Sequence, residues 1–147
     1  RPDATAEAAW IDEDGQAWLR TGDIGQLDGD GFLYIIDRKK DMIVSGGQNI
    51  YPRDIESVLI GHDAVADVAV IGVPDTEWGE TPIAIIIPAN GHHPDAAALI
   101  GWANERLGRQ QRLRGAYFID ELPRNANGKV MKRELRERFS ANCPVRL

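Results

Sequence analysis

Apolar residues are sparse over the first 36 positions and dense over the rest of the chain. In the dense part, some apolar runs have the pattern of strands, and apolar residues three or four positions apart have the pattern of helices. The predicted strands span 65–73, 82–88 and 116–119. The predicted helices begin at Pro52 and span 95–107 and 131–139. This alternation predicts an α+β fold with a small three-stranded sheet, packed helices and an N-terminal hairpin.

Each predicted helix carries one apolar face for the sheet. The first presents Ile55, Val58 and Leu59, the second Ala98, Leu99, Trp102 and Leu107, and the third Met131, Leu135 and Phe139. Pro52 suits the first turn of a helix because no backbone partner is needed for a proline nitrogen there. A further short strand at 42–44 runs into Ser45-Gly46-Gly47.

The first 36 residues contain turn signals and too few apolar side chains to bury a core. Strands at 17–20 and 32–36 are predicted to flank the turn Asp28-Gly29-Asp30-Gly31. We therefore expect residues 1–36 to be the tail end of a larger, incomplete N-terminal domain, and residues 37–147 to form a C-terminal domain. The chain begins at Arg1 rather than Met, which indicates a piece of a longer protein.

Charge is distributed unevenly along the chain, whose formal net charge is −6. Residues 106–147 hold eleven Lys/Arg and four Asp/Glu, a net +7, whereas residues 1–105 hold six and nineteen, a net −13. A basic end on an acidic protein indicates a local anion site, and the alternative is a solvated basic helix without a ligand. Nucleic acid is not expected as a partner, because aromatic residues do not alternate with the basic ones.

Several other classes of protein and site are not expected. No apolar run approaches the roughly 18 residues of a transmembrane segment. Cys143 is the only cysteine, so no intrachain disulfide is expected, which fits a cytoplasmic protein. No base stands beside Cys143, which argues against a nucleophile. His92-His93 lacks further ligands at useful spacing, so no metal site is expected.

Three motifs place polar or glycine residues at the ends of predicted elements. Asp23, in Thr21-Gly22-Asp23, can accept hydrogen bonds from two ribose hydroxyls, but such a sequence is also a common turn. Arg38, in the charged run 37–41, can fork onto ribose or phosphate oxygens, or lie solvated. Gly46 and Gly47 leave room for a thin ligand beside the backbone, or simply permit a tight turn.

A fourth motif, Pro123-Arg124-Asn125-Ala126-Asn127-Gly128-Lys129, places a lysine on a turn. Pro123 restrains the residue before it, and Asn127-Gly128 favours positive backbone dihedrals. Lys129 is therefore predicted at a loop tip. A phosphate-binding P-loop is excluded, because Pro123 stands where that motif has a glycine and Val130 where it has Ser or Thr.

Taken together, the order and spacing of these motifs resemble the C-terminal portion of the adenylate-forming superfamily. This superfamily includes acyl-CoA synthetases, peptide-synthetase adenylation domains and firefly luciferase. The segment 38–52 is most similar to fatty acyl-CoA ligases. The resemblance implies a two-step reaction, in which a carboxylate and MgATP form acyl-AMP and the thiol of CoA then displaces AMP.

The resemblance also implies roles for particular residues. It assigns the ribose carboxylate to Asp23, a nucleotide contact to Arg38, the hinge to Asp37, the pantetheine path to Gly46 and Gly47, and the catalytic lysine of adenylation to Lys129. The family often has a Tyr-Lys-x-Pro segment where this chain has Gln110-Gln111-Arg112-Leu113. Arg112 and Arg114 keep this stretch basic, and we expect them to meet the 3′-phosphate of CoA.

The resemblance thus predicts the C-terminal lid of an AMP-forming acyl-CoA ligase that uses ATP, Mg²⁺ and CoA. Alone, it is expected to be inactive, because no Ser/Thr/Gly-rich phosphate-binding loop and no acyl pocket are recognised in these residues. Its expected partners are its own missing N-terminal domain and a carboxylic acid, here a fatty acid. One alternative is an aromatic-acid CoA ligase or a peptide-synthetase adenylation domain. Another is a stand-alone binding module derived from the lid. Because the substrate-bearing domain is absent from this chain, Lys129 is expected to point into solvent on a poorly ordered loop.

Overall fold

The structure, a computed structural model, describes residues 6–92 and 94–140. The chain divides into two compact units, Arg1–Lys40 and Asp41–Leu147. His93 and Cys143, for which no metal-binding or nucleophilic role was expected, lie outside the described residues. Within the described ranges, no helix is long and apolar enough to cross a membrane.

The described strands of the first unit form two antiparallel hairpins. Strand β1 (Ala9–Ile11) pairs with β2 (Ala17–Leu19), and β3 (Asp23–Leu27) pairs with β4 (Leu33–Arg38). The prediction that strands 17–20 and 32–36 flank the turn at 28–31 is therefore wrong for 17–20, because β3 lies between them in the chain and takes the place beside β4.

A short turn explains why β3 fits there. The Asp28 carboxylate accepts hydrogen bonds from the backbone N–H groups of Asp30 and Phe32, at 3.0 and 2.9 Å, and closes the turn between β3 and β4. The Phe32 N–H donor also lowers the pKa of Asp28. Because the turn is tight, the partner of β4 has to be the segment immediately before Asp28.

The large apolar side chains of the first unit are exposed rather than packed into a core. The exposed set is Trp10, Ile11, Trp18, Leu19, Leu27, Phe32, Leu33, Tyr34 and Ile35. None of the described residues of this unit belongs to a buried apolar cluster. Two hairpins of this kind do not stabilise themselves in water, because they bury too little apolar surface.

The second unit is built on one five-stranded sheet. Its strands are β5 (Ile43–Ser45), β6 (Gln48–Ile50), β7 (Val65–Asp75), β8 (Gly79–Pro88) and β9 (Gly115–Phe118). They are ordered β6-β5-β8-β7, and β9 also pairs with β8. Strand β8 is antiparallel to β7 and parallel to β9, and a single residue pair, Ser45 opposite Gly79, joins it to β5.

The α+β class and the three predicted strands are confirmed, and two more strands join the sheet: β5, which corresponds to the further strand predicted at 42–44, and β6, which was not predicted. Gly46 and Gly47 both adopt positive φ angles, +56° and +77°. Two such residues form the turn that suits a two-residue hairpin, so the chain reverses directly after β5 and forms β6. The segment 48–50, for which no strand was predicted, is therefore a strand.

Three helices cover the two faces of this sheet. Helices α1 (Pro52–Leu59) and α2 (Ala96–Asn104) bury Ile55, Leu59, Leu99 and Ile100 in one cluster with Ala84 and Ile86. Helix α3 (Lys132–Phe139) buries Leu135 and Phe139 in a second cluster with Ile83 and Ile85. Successive residues of β8 thus point to opposite faces, and both faces are buried.

The second helix differs from its prediction in length and in its buried face. Helix α2 ends at Asn104, and Ala98 is exposed while Ile100 and Ala103 are buried. The side chain of Asn104 donates to the backbone oxygen of Leu113 and accepts from its N–H, at 3.1 and 2.8 Å. These two hydrogen bonds hold the end of the helix against the segment before β9. Helix α3 begins one residue later than predicted, at Lys132.

Candidate functional site

In the first unit, two of the predicted site residues form an ion pair. Asp23, the first residue of β3, lies directly opposite Arg38, the last residue of β4. Arg38 Nε is 2.7 Å from Asp23 Oδ1, and Arg38 Nη1 donates to the backbone oxygen of Thr21 at 3.3 Å. The Asp23 side chain is 25% exposed and that of Arg38 is 43% exposed. A carboxylate and a guanidinium therefore stand side by side at the end of one hairpin, both within reach of solvent.

The turn before this pair is also defined. Thr21 Oγ1 accepts from the Asp23 N–H at 3.1 Å, and the Gly22 oxygen accepts from the Lys39 N–H at 2.8 Å. Gly22 has a φ of +75°. These contacts connect the Thr-Gly-Asp turn to the end of β4, so the two motifs that sequence reasoning treated separately form one structural feature.

Asp37, the predicted hinge, is the residue before Arg38 in β4 and lies opposite Ile24. Its Oδ1 accepts from the backbone N–H of Arg38 at 2.7 Å. The division between the two compact units falls at Lys40 and Asp41, slightly beyond Asp37. The expected domains 1–36 and 37–147, and the hinge at Asp37, stay predictions.

In the second unit, three of the residues predicted to bind CoA line one cavity of about 480 Å³. They are Gly46, Arg112 and Arg114, and Arg109 lies on the same wall. Gly47 is exposed next to it. The cavity is thus formed between the β5–β6 hairpin and the chain segment that precedes β9.

Arg112 and Arg114 are directed by the residue between them. Leu113 is buried, at 3% exposure, and Asn104 holds its backbone by the two hydrogen bonds described above. In an extended segment, neighbouring side chains point to opposite sides, so Arg112 and Arg114 share the side away from the core. Both are exposed. The result is a basic wall with little room to shift.

Trp78 lines the same cavity, and sequence reasoning missed it. Its indole lies over Gly46: a Cβ atom added to Gly46 would be 2.6 Å from the Trp78 ring. The Trp78 backbone oxygen also accepts from the Gly46 N–H at 2.8 Å. Gly46 is therefore needed for close packing under Trp78 as well as for its positive φ. A bulky aromatic residue in the turn between two predicted strands was the available signal.

Lys129 lies between β9 and α3, in a segment that we call the lysine loop and define as residues 123–131. Lys129 is exposed, as expected. Arg124 and Val130 form a β-bridge across the loop, and the Pro123 oxygen accepts from the Met131 N–H at 2.8 Å. The loop is thus closed at its base like a small hairpin.

The tip of the lysine loop is organised by Asn125. Its Oδ1 accepts from the N–H groups of Asn127 and Lys129, at 3.0 and 2.9 Å. Its backbone N–H donates to the Lys129 oxygen at 2.9 Å, and its backbone oxygen accepts from Gly128. A loop with this many internal hydrogen bonds is more constrained than the poorly ordered loop that we expected.

The structure therefore groups the predicted site residues in three places. Asp23 and Arg38 are paired in the first unit, Gly46, Arg112 and Arg114 share a cavity in the second, and Lys129 lies on its own loop. Within residues 6–92 and 94–140, no group of three or more His, Cys, Asp or Glu side chains is placed to hold a metal ion.

Comparison with known proteins identifies the family of this arrangement. Residues 54–129, more than half of the chain, match the model of the AMP-binding enzyme C-terminal domain. The chain therefore belongs to the AMP-binding enzyme C-terminal domain family.

Three similar proteins indicate the kind of enzyme in which this domain occurs. The chain is 45% identical over 144 residues to the long-chain-fatty-acid–CoA ligase FadD13 of Mycobacterium tuberculosis, covering 98% of this chain and 27% of that protein. The structure of ATP-bound MatB from Rhodopseudomonas palustris matches with a TM-score of 0.82 and 34% identity, covering 95% and 27%. The o-succinylbenzoate CoA synthetase MenE of Bacillus subtilis, in complex with its acyl-adenylate intermediate OSB-AMP, matches at 0.79 and 41%, covering 92% and 27%.

These comparisons confirm the resemblance to the adenylate-forming superfamily and the fold class. The curated relatives include a long-chain-fatty-acid–CoA ligase and a feruloyl-CoA synthase. The chain spans about a quarter of the length of the curated relatives it matches.

Proposed function

We propose that this chain is the C-terminal lid, with the last hairpins of the main body, of an AMP-forming acyl-CoA ligase. In this proposal, residues 1–36 end the N-terminal domain, Asp37 is the hinge, and residues 37–147 form the lid. The family match and the ligase relatives support the class of enzyme. The chain alone would be inactive, because in this proposal most of the active site lies in the N-terminal domain.

The exposed apolar side chains of the first unit support the proposed main body. Nine large apolar residues of these hairpins are exposed, from Trp10 to Ile35. Such a dense apolar surface on a small two-hairpin unit is costly in water. Packing against a preceding N-terminal domain would bury it, which is why we propose that domain as the first partner of the chain.

The proposed reaction has two steps. A carboxylate oxygen of the acid attacks the α-phosphorus of MgATP, and pyrophosphate leaves with the electrons of the broken P–O bond. The CoA thiol then loses its proton to solvent and its sulfur attacks the acyl carbon, and AMP leaves with the electrons of the broken acyl C–O bond. Magnesium enters with ATP as part of the substrate, and we assign it no ligand among the described residues.

Asp23 and Arg38 are proposed to hold the nucleotide. Because Arg38 engages Asp23 Oδ1, a ribose would be met by Oδ2, and the carboxylate is already oriented when the nucleotide arrives. The guanidinium keeps further N–H donors for ribose or phosphate oxygens. Such a pair binds a nucleoside and orients it, but carries no proton in the reaction.

The observation that carries the thioester half of the proposal is the basic cavity. Gly46, Trp78, Arg112 and Arg114 surround a volume of about 480 Å³, with a thin glycine hairpin on one side and guanidinium groups on another. A slender pantetheine arm fits beside a backbone without side chains, and a phosphate fits the guanidinium groups. We propose that Gly46 and Gly47 line the pantetheine path and that Arg112 and Arg114 meet the 3′-phosphate of CoA.

Lys129 is proposed to act in the first step. Adenylation brings a carboxylate and a phosphate together, and an ammonium group between them offsets the developing negative charge. The lysine loop is exposed and hydrogen-bonded within itself, so it can enter the site with the lid and leave with it. Its withdrawal would make room for CoA, which is a gating role.

In the full-length enzyme, Lys129→Ala should slow adenylation by about 100-fold or more, the usual cost of removing a charge-stabilising donor from a dry site. Thioester formation from supplied acyl-AMP should stay within about twofold of the unmodified rate, because the lysine has left the site by then. Single-turnover assays of each half-reaction measure both rates. Arg133→Ala, which removes an exposed i,i+4 ion pair with Glu137, is the control. Equal losses in both half-reactions would contradict the assignment.

Replacing Arg112 and Arg114 together by alanine should raise the KM for CoA and flatten its dependence on salt. The reason is that the variant loses two cations whose attraction for the CoA phosphate is screened by salt. The KM for ATP should be unchanged. Steady-state assays at several salt concentrations give both values, again with Arg133→Ala as the control. Unchanged CoA affinity and salt dependence in the double variant would rule out this phosphate site.

We propose a fatty acid as the acid substrate, in line with the similarity to FadD13. The similarity to MenE favours an aromatic acid as the second candidate. ATP–pyrophosphate exchange by the full-length enzyme, with straight-chain fatty acids matched against aryl acids of similar size, separates the two. Exchange should be fastest with a fatty acid, and consistently faster exchange with aryl acids would overturn this choice.

A further inference from the structure

Arg124 connects the lysine loop to the sheet. Its Nη1 donates to the backbone oxygen of Gly128 at 2.6 Å, and its Nη2 contacts Asp67 Oδ2 at 2.5 Å. Gly128 is the residue immediately before Lys129. One planar guanidinium thus holds the turn beside the lysine and, at the same time, a carboxylate on β7.

Asp67 is placed for this contact by an irregularity in β7. The pairing of β7 with β8 shifts register between Val65 and Asp67. Such a bulge redirects a side chain that would otherwise follow the regular alternation of the strand. Asp67 Oδ1 accepts from the Val68 N–H at 2.8 Å, which leaves Oδ2 for Arg124. The carboxylate is therefore oriented by the strand before it meets the loop.

A second ion pair holds the chain just after the lysine loop. Lys132, the first residue of α3, contacts Glu56 Oε1 at 2.7 Å, and its side chain is only 13% exposed. The same Glu56 oxygen accepts from the backbone N–H of Val70 in β7 at 2.8 Å. The loop is thus fastened at both ends, directly to β7 by Arg124 before the tip, and to Glu56 of α1, which itself accepts from β7, by Lys132 beyond it.

We propose that Arg124 and Asp67 are positioning residues for Lys129. Their ion pair braces the lysine loop, so that the lysine arrives at the adenylation site in one backbone conformation. This inference rests on the proposed function of Lys129. The brace touches neither substrate nor the reacting atoms, and acts only through the shape of the loop.

An ordinary surface ion pair would behave differently. Arg124 and Asp67 are 43% and 34% exposed, and pairs of that exposure add little to overall stability. Because Arg124 also donates to the Gly128 oxygen, this pair holds the lysine loop, whereas the exposed Arg133–Glu137 pair joins two residues of one helix. Loss of the brace should therefore change the loop and the first half-reaction, while the melting temperature changes little.

The first arm of the experiment measures the loop itself. In the full-length enzyme, Arg124→Ala and Asp67→Asn should each speed hydrogen–deuterium exchange in peptides that cover residues 125–130 by about tenfold, because loop hydrogen bonds open more often. Arg124→Lys should give an intermediate effect, since a lysine reaches one acceptor but lacks the fork. Arg133→Ala should leave this exchange unchanged. Unaltered exchange in Arg124→Ala would overturn the brace.

The second arm measures the consequence for chemistry. Arg124→Ala should slow adenylation by about 10- to 100-fold, as expected for a misplaced catalytic group, and leave thioester formation from supplied acyl-AMP within about twofold. In a Lys129→Ala background, Arg124→Ala should cause no further loss, because the brace has no lysine left to position. Losses that multiply in the double variant would show that Arg124 acts independently of Lys129.

The two arms separate failure of the inference from failure of the proposed function. If Lys129→Ala leaves adenylation unchanged, the proposed role of the lysine is wrong, whatever the exchange shows. If Lys129→Ala slows adenylation but Arg124→Ala alters neither exchange nor rate, the function stands and the brace is wrong.

Discussion

The arrangement of the second unit depends on strand β8, which is buried on both faces and paired on both edges. Ile83, Ala84, Ile85 and Ile86 are each fully buried. One edge of the strand pairs with β7 along its length, and the other is shared by β5 at its start and β9 further on. A strand in this position cannot shift by one residue, because every side chain would then face the wrong layer.

The candidate CoA cavity follows from that fixed register. The pair Ser45–Gly79 holds the glycine hairpin against the start of β8, and the Arg114 N–H donates to the Pro82 oxygen, three residues further along the strand. Asn104, at the end of α2, holds Leu113 from the other side. The hairpin and the arginines come from segments more than 60 residues apart, yet both are positioned from the first four residues of one strand.

The lysine loop depends on the opposite face of the same sheet. Leu122 before the loop and Leu135 after it are buried with Ile83 and Ile85 in the second cluster. The loop between these two anchors is short, and its ends are fastened by ion pairs, one to Asp67 of β7 and one to Glu56 of α1. The proposed lysine is therefore anchored to the face of the sheet that holds Ile83 and Ile85, and the proposed CoA cavity lies at the start of β8. Two separate places suit a domain that presents different groups to the active site in different orientations.

Much of this fold could be predicted from apolar periodicity, because β7, β8 and α1 are long or strongly patterned. The pair Asp23–Arg38 was foreseen as two candidates, but their contact depends on a strand register that periodicity does not reveal. Strand β6 was missed because Gln48 and Asn49 are polar, although Gly46-Gly47 was a hairpin signal. Trp78 was missed because its importance lies in a contact with Gly46 across 32 positions of sequence. Ala98 was wrongly predicted to be buried, because helical spacing alone allowed two adjacent buried faces.

The most direct test of the lid proposal follows the chemical accessibility of Lys129 in the full-length enzyme. The enzyme would be labelled with an amine-reactive reagent, and the labelled lysines would be identified by mass spectrometry. Labelling is compared in three states: the free enzyme, the enzyme with its acid substrate and a non-reactive ATP analogue, and the enzyme with AMP and CoA. Lys132, whose ion pair with Glu56 lies within the second unit, is the internal reference. If the lid carries Lys129 into the adenylation site, Lys129 should be protected from the reagent only when the acid and the ATP analogue are present. With AMP and CoA bound, its labelling should equal that in the free enzyme. Equal reactivity of Lys129 in all three states would contradict it.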